Sequence, residues 1–454
     1  MTILRKALLG GAALAVMTTG AQADELTALK AQLEALQNRV DTMESAPASY
    51  EGKSLLTFER GQASNTWDVV ASKDAASTNK DSGFTVAVTP TADMPAPVAE
   101  VTVYGYVGAH LHYAFDGKHG EGNSFSVSTL SNDGGDHISL TAQQSRFGIK
   151  SKIDTAIGQI RTQIEADFTP GGGNAGSLPI RLRHAVGHWD MTPNWTFTAG
   201  QYWYTAALLP IGVSTVDFNG ALLTYSRTSQ FRLSYADGPL SWAVAIENPT
   251  FDSTTNMPNI ASYLQYDIAG GHTLIVTGEV ADWFNDGLPS NGPVAHNDEL
   301  GWAIQAGANF NLADVATLTA GVGYGEGLLT NKFVFEDGFA NVDAAGDPLE
   351  AIAFTVGLSF GLSETTTFNA QFGYINALEE QDFAGCGSTA PGGAAAPASS
   401  DECKDKLYKV TANVMWQPVK QMRMGWEVNW GQYTRFDGTS EDGASALFAT
   451  WFFF

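Results

Sequence analysis

The sequence predicts an all-β protein: a 16-stranded antiparallel transmembrane β-barrel, preceded by a short N-terminal α-helical coiled coil. Three observations lead to this fold class. The composition is rich in glycine and aromatic residues, apolar residues alternate with small or polar ones in segments of about ten residues, and short and long connections alternate between those segments.

The composition excludes several classes of protein. The 454 residues carry 24 Lys and Arg against 48 Asp and Glu, so the net charge of −24 argues against a nucleic-acid partner. Runs of about 18–20 apolar residues, which a helical membrane protein needs, do not occur in the sequence beyond its N-terminus. With 2 Cys the chain cannot form a Cys-rich zinc site, and its 48 Gly and 25 Phe favour a β-rich fold.

Residues 1–23 predict a secretory signal peptide. Arg5 and Lys6 precede the apolar stretch Ala7–Val16, which is too short to span a bilayer as a mature helix. Ala21–Ala23 then forms a cleavage site of the A-x-A type. We therefore expect the mature chain to leave the bacterial cytoplasm, and the predicted barrel makes the outer membrane its destination.

Residues 24–44 predict a coiled-coil helix in the periplasm. Their apolar residues recur at alternating spacings of three and four, the pattern of a heptad seam: Leu26, Leu29, Leu33, Leu36, Val40 and Met43. About three heptads are marginal for isolated helices, so we expect this seam to assist a trimerisation that the barrel also promotes. The alternative is a single amphipathic helix that lies on its own protein.

Residues 45–100 predict a semi-extended linker, because Ala, Ser, Thr, Asp and Pro dominate its composition. Two short β-like patches interrupt it, Leu55–Phe58 and Phe84–Val88. Three prolines between residues 90 and 97 close the segment before the barrel begins.

Residues 101–454 predict the barrel, since sixteen segments alternate apolar with small or polar residues. Connections of three to six residues alternate without exception with longer ones. Tight periplasmic turns and long outer loops produce this parity, and an even strand number returns both barrel termini to the periplasm. A soluble β-sandwich, the alternative, gives no reason for it. The predicted segments are 101–115, 138–150, 157–168, 180–189, 195–203, 228–236, 240–247, 259–267, 272–281, 299–310, 314–324, 350–360, 364–374, 406–416, 421–431 and 444–454.

The last predicted strand carries Phe448, Phe452 and Phe454 on one face. This ending resembles the recognition signal of bacterial outer-membrane proteins, so Phe454 predicts a contact with the barrel-assembly machinery. The alternative is a buried final strand of a soluble protein, which rarely exposes three Phe at its end.

The third long connection, about 204–227, is the candidate constriction loop. Its segment Ala206–Ile211 is apolar and fits poorly in water, so we expect the loop to fold into the lumen. There it would carry Asp217, Phe218 and Arg227. Packing at a subunit interface is the alternative.

Alternation places a set of basic side chains and two acids on the lumen side of the strands. Arg181 and Arg183 point inward, for example, if Leu182 and Val186 take the lipid face. A guanidinium fork matches the geometry of a carboxylate, so we expect a lumen that prefers anions. The alternative is that these arginines pair with wall acids in a structural network. The predicted lumen residues are Arg146, Lys150, Arg161, Arg181, Arg183, Arg232, Arg423, Glu165 and Asp167.

Cysteine, histidine and motif usage give no sign of catalysis. Cys386 and Cys403 lie in the seventh long connection, where export favours a disulfide. It would close a loop of about 17 residues, worth roughly 3 kcal/mol. His110 and His112 share one strand face without further ligands, so we expect polar lumen residues and no metal site. The sequence carries no nucleophile elbow, zinc-protease or Walker motif, so neither an enzyme nor a cofactor is predicted.

Five stretches resemble the DcaP-like family of Gram-negative outer-membrane porins: Leu29–Val40, Gln144–Lys152, Gly158–Phe168, Arg181–Trp189 and Thr198–Trp203. The resemblance implies a trimeric 16-stranded barrel in outer-membrane lipid, with a periplasmic coiled coil. It also implies a passive diffusion channel for small hydrophilic solutes that prefers small organic anions such as dicarboxylates. That preference transfers onto Arg146, Arg161, Arg181 and Arg183 alone. The alternatives are a non-selective or cation-preferring porin and a closed barrel with a display role.

Overall fold

The computed structural model describes residues 54–60, 83–90, 99–115, 125, 135–169, 180–216, 226–249, 257–283, 299–313, 315–328, 348–378 and 404–454. Leu55–Thr89 and Pro97–Phe454 belong to one compact unit. The predicted signal peptide, the heptad seam, Cys386 and Cys403 lie outside the described residues. Within the described ranges, no helix is long and apolar enough to cross a membrane.

The described chain is built from strands, whose alternating apolar and polar residues fit the two faces of a pleated ribbon. They are β1 (Ser54–Arg60), β2 (Phe84–Pro90), β3 (Ala99–Phe115), β4 (His137–Thr141), β5 (Arg146–Thr155), β6 (Gly158–Asp167), β7 (Arg181–Asp190), β8 (Trp195–Trp203), β9 (Arg227–Asp237), β10 (Leu240–Glu247), β11 (Asn259–Ile268), β12 (His272–Trp283), β13 (Glu299–Leu312), β14 (Ala316–Glu326), β15 (Glu350–Ser363), β16 (Thr366–Ala377), β17 (Lys404–Val419), β18 (Met422–Arg435) and β19 (Ser440–Phe453).

Strands β3–β19 close into one antiparallel barrel, which has sixteen wall strands when β4 and β5 are counted as one. Strand β3 pairs with β19 on one edge and with both β4 and β5 on the other. Because a turn at Ala142–Ser145 only interrupts their line, β4 and β5 together form one wall strand. From β5 to β19 each strand pairs with its neighbours in the chain. The pairing of β3 with β19 closes the wall into a ring, which is the form that a sheet takes in lipid, and the predicted 16-stranded antiparallel barrel is confirmed.

The two faces of the wall differ in chemistry. On β13 the side chain of Ile304 is exposed, whereas the side chain of its neighbour Gln305 is buried. The same alternation runs round the barrel and puts large aliphatic and aromatic side chains outside, among them Ile149, Ile164, Phe231, Leu264, Val276, Phe354, Val428 and Phe452. An exposed apolar belt of this kind suits lipid, so the inward face is the candidate functional surface.

The two apolar patches before the barrel form strands β1 and β2, which pair with each other. Strand β2 also joins the sheet, since Phe84–Val88 pairs with Ala99–Val103. It pairs with the same edge of β3 as β19 does, just beyond the end of β19. There Gly83 N donates a hydrogen bond of 2.8 Å to Phe454 O. The two β-like patches predicted within the linker are therefore strands, and β2 finds its ladder partners on the part of β3 that lies beyond the pairing with β19.

Strand limits differ from the predicted ones at several turns. The predicted strand 138–150 is divided into β4 and β5, and β5 runs on to Thr155. The turn expected at 151–156 is therefore confined to two residues, 156 and 157. Polar residues in this stretch face water or pair across strands, as Ser151 Oγ and Thr162 Oγ1 do at 2.7 Å. A prediction that ends the strand at the first polar residues therefore places the turn too early in the chain.

Candidate functional site

The described part of the third long connection, residues 204–216 after β8, lies against the inside of the barrel. Its backbone exchanges hydrogen bonds with inward side chains of successive strands, starting where Thr205 N donates to Glu247 Oε1 of β10 at 2.8 Å. Farther along, Gly212 N donates to Thr319 Oγ1 of β14 at 2.8 Å. The last contact has Val216 N donating to Glu427 Oε2 of β18 at 2.7 Å. We call the inner face of β10–β18 the loop wall.

Amide side chains fill the spaces between these contacts. Gln305 Nε2 donates to Ala206 O at 2.9 Å, and Asn413 Nδ2 donates to Ser214 O at 2.9 Å. Asn309 Nδ2 donates to Pro210 O. Because neutral amides can both donate and accept, they satisfy the loop's backbone groups without adding charge.

Glycines make room for the apolar side chains of the loop. A methyl group added at Gly307 would lie 2.4 Å from Ile211 Cγ1, and one added at Gly425 would lie 2.5 Å from Val216 Cγ2. Gly357 has the same relation to Val213 Cγ1, at 2.9 Å. These glycines form a groove in the loop wall, which explains how an apolar loop is accommodated inside a polar lumen.

Phe125, which belongs to the long connection between β3 and β4, also packs against the loop wall. This residue belongs to the same buried apolar cluster as Leu208 and Ile211. Its carbonyl oxygen accepts a hydrogen bond of 2.9 Å from Lys409 Nζ, which also lies 5.2 Å from the centre of its ring. Glycines flank Lys409 in both neighbouring strands, Gly373 and Gly431, and leave space for the ring.

The opposite part of the lumen, the inner face of β5–β9, is the basic wall. Two carboxylates organise it. Glu165 Oε1 accepts from Arg183 Nε at 2.6 Å and lies 3.6 Å from Arg146 Nε. Asp167 accepts two bonds from Arg181, at 2.8 and 2.6 Å, and one from Arg183 Nη1 at 3.0 Å. These are the ion pairs that the alternative of a structural network expects.

Aromatic rings hold further basic groups of this wall. Lys150 Nζ lies 5.0 Å from the ring centre of Tyr104, whose hydroxyl donates to Glu165 Oε2 at 2.8 Å. The guanidinium of Arg227 lies 4.9 Å from the ring centre of Trp203. A cation held over an aromatic face keeps its charge while its position is fixed.

The remaining predicted residues lie apart from this centre. Arg161 forms a two-bond ion pair with Asp190, with both distances 2.7 Å. Arg232 Nη2 donates to Trp203 O, and Arg423 Nη2 donates to Gln417 Oε1 at 2.7 Å near the short-turn end of β18. Asp217 and Phe218 lie outside the described residues.

One predicted orientation was wrong. Val186 was expected on the lipid face, but it is buried in the lumen beside Tyr202 and Trp203. The ladder between β6 and β7 shifts register at Glu165, which pairs with His184 and leaves Arg183 as an extra residue. This bulge turns both Arg183 and His184 inward and reverses the alternation that follows. His184 was missed for the same reason.

The basic wall carries an excess of positive charge. Among the described residues, its buried charged side chains comprise five basic ones and two acids: Arg146, Lys150, Arg161, Arg183, Arg232, Glu165 and Asp167. The corresponding set on the loop wall comprises two basic ones and three acids: Lys404, Lys409, Glu247, Glu279 and Glu427. The two walls therefore differ in sign, although the whole chain is acidic.

Metal ligation finds no support within the described ranges, where no group of three or more His, Cys, Asp or Glu could hold an ion. His110 and His112 are buried on the inner face, and the His110 ring meets Trp451 edge-on at 5.4 Å.

A closed 16-stranded barrel whose third long connection folds inward defines the fold of an outer-membrane porin. Solved structures agree. The outer-membrane channel DcaP of Acinetobacter baumannii is similar with a TM-score of 0.65 at 20% identity, over 78% of this chain and 97% of that one. An anion-selective porin from Comamonas acidovorans has a TM-score of 0.53 at 12% identity, over 78% and 100%. OmpT of Vibrio cholerae has 0.51 at 12%, over 79% and 98%.

No protein-family model matches the sequence, and no curated protein matches it. The likeness therefore lies in the fold, which resembles that of DcaP.

Proposed function

We propose that this protein is a passive channel of the bacterial outer membrane that passes small hydrophilic solutes and prefers small anions such as dicarboxylates. The observation that carries the proposal is the excess of positive charge on the basic wall, opposite a loop wall of the other sign. A solute that passes through the lumen responds most strongly to the charges nearest its path. The long connections carry acids, among them Glu336, Asp337, Glu379 and Asp382. These acids would shape entry and salt dependence, and the lumen would set the ion preference.

The similar structures support the same reading at the level of fold. DcaP is described as an outer-membrane channel, and the Comamonas protein as an anion-selective porin. In this chain the guanidinium groups of Arg146, Arg181 and Arg183 are the candidate contacts for a carboxylate, because a fork of donors matches its two oxygens.

The test is the reversal potential of the purified protein in a planar bilayer under a KCl gradient. The proposal expects a chloride-selective potential that weakens at high salt, and block by dicarboxylates. A potassium-selective potential would contradict the anion preference and leave the arginines a structural role.

A closed barrel with a display role is the second candidate, and one observation favours it. The basic side chains of the wall are covered in this structure: Arg183 is 1% exposed and Lys150 is 2% exposed. If the reconstituted protein conducts no ions, this second candidate replaces the first.

We further propose a homotrimer whose assembly is assisted by the heptad seam of residues 24–44. Deleting this segment is expected to lower the thermal stability of the oligomer and to leave the conductance unchanged. An unchanged melting profile would argue against the role.

A further inference from the structure

The barrel wall splits where the basic wall carries its central arginine. Strands β7 and β8 pair from Asp190 and Thr196 as far as Ala185 and Gln201, and their ladder stops there. Beyond this point β7 continues along β6 alone, through the bulge at Arg183. The carbonyl groups of the bulge that face β8 therefore have no backbone ladder partner in that strand.

Gln201 closes this split with its side chain. Its Nε2 donates to Leu182 O at 2.8 Å and to Arg183 O at 3.1 Å. Its neighbours mark the position as outward-facing, because its β9 partner Ser229 and the residue Phe197 are both exposed on the outer face. In hydrocarbon both an amide and a carbonyl without partners are costly, so each satisfies the other.

The bulge held in this way has a consequence in the lumen. It turns Arg183 inward, where the guanidinium bridges Glu165 at 2.6 Å and Asp167 at 3.0 Å. Gly200 keeps the two strands close, since its φ is 123° and a methyl group there would lie 2.2 Å from Ala185 O. The position of Arg183 therefore depends on two residues of β8.

We propose that Gln201 is a positioning residue that acts from the lipid side of the wall and sets the orientation of Arg183, and hence the ion preference of the lumen. The part about ion preference rests on the proposed function. The part about orientation does not, so the two are tested separately.

The first experiment compares reversal potentials under one KCl gradient. Gln201→Met, which keeps the length of the side chain but cannot donate, is expected to shift the potential towards potassium by most of the shift that Arg183→Gln produces. Ser229→Ala, at the paired outward position, is the control and should match the unaltered protein. Adding Gln201→Met to Arg183→Gln should cause no further shift, because the residue acts through Arg183.

The second experiment needs no ion selectivity. With Cys386→Ser and Cys403→Ser in place, Arg183→Cys is treated with a water-soluble sulfonate thiol reagent. The reaction should be faster with Gln201 present than with Gln201→Met, and the ratio of the two rates is the quantity compared. If Gln201→Met does not assemble, Gln201→Asn, whose amide is retracted by one carbon, replaces it in both experiments with a smaller effect of the same sign.

The outcomes separate the two proposals. Equal thiol reaction rates with and without Gln201 overturn the positioning role, whatever the channel conducts. A potential that Gln201→Met leaves unchanged in a chloride-selective protein overturns its part in ion preference, and additive shifts in the double variant do the same. An unaltered protein without chloride preference counts against the proposed function alone.

Discussion

The basic wall and the loop wall belong to one ladder of strands but hold their contents by different means. On the basic wall, Glu165 and Asp167 each bind more than one guanidinium, so charges fix one another through short ion pairs. On the loop wall, glycines and amides receive a segment of backbone, as Gly307 and Gln305 do. One barrel therefore carries two kinds of inner surface: the basic wall holds an excess of positive charge, and the loop wall holds the inward-folded segment.

The largest expected effect comes from Arg183, because it bridges both acids of the basic wall. Arg183→Gln removes one charge, which at about 8 Å in water is worth about 0.5 kcal/mol to a passing ion. The ratio of chloride to potassium permeability should fall about fivefold, since the two ions respond in opposite directions. The reversal potential measures this ratio, and a ratio unchanged by the substitution would mean that the basic wall does not face the path of the ions.

The next effect concerns the constriction. Gly307→Val would place methyl groups where Ile211 now lies, and overpacking of this kind costs about 1–3 kcal/mol. The loop should leave its groove and the single-channel conductance should rise. Gly278→Val is the matched control, since its nearest neighbour would be 3.8 Å away on the outer face of β12. Equal conductance in both variants would contradict the groove.

A smaller effect is expected at the end of the loop. Glu427 Oε2 accepts from Val216 N at 2.7 Å and from Asn413 Nδ2 at 2.9 Å, and Oε1 accepts from Asn429 Nδ2 at 3.2 Å. Glu427→Gln replaces one of these acceptor oxygens with a donor, which costs about 1–3 kcal/mol. The current should become noisier as the loop loosens. Glu279→Gln removes the same charge on β12, where the carboxylate accepts from Asn259 Nδ2 at 2.7 Å, and should leave the noise unchanged.

The smallest effect is expected for the pair of Arg161 and Asp190. The pair is neutral as a unit, so the double substitution Arg161→Gln and Asp190→Asn should leave the reversal potential unchanged. Because both charges are removed together, it should cost less stability than either single substitution. A clear shift would show that local charge density, and not the net excess of the wall, governs ion preference.

Much of this architecture follows from period-two alternation. The sixteen strands and the buried positions of Arg161, Glu165 and Asp167 follow from it, because a pleated wall has only two faces. The rule fails at Val186, since the bulge at Arg183 adds one residue and reverses the faces that follow.

Long-range packing is the part that alternation could not supply. Alternation alone places Gly307, Gly357 and Gly425 on the inward face. It does not show which segment fills the groove, because that segment is distant in sequence: Gly212 and its partner Thr319 are 107 residues apart. The pairing of β2 with β3 likewise depends on tertiary structure, because an unpaired strand edge can accept more than one partner and the local sequence does not specify which.

The central claim is that ion preference originates on one wall. The most direct test removes three charges from each wall and compares the reversal potentials under one KCl gradient. One variant carries Arg146→Gln, Arg181→Gln and Arg183→Gln, and the other carries Lys404→Gln, Lys409→Gln and Arg423→Gln. The first variant should lose its chloride preference and the second should keep it. Equal shifts in the two variants, or a larger shift in the second, would mean that the basic wall is not the origin of the ion preference.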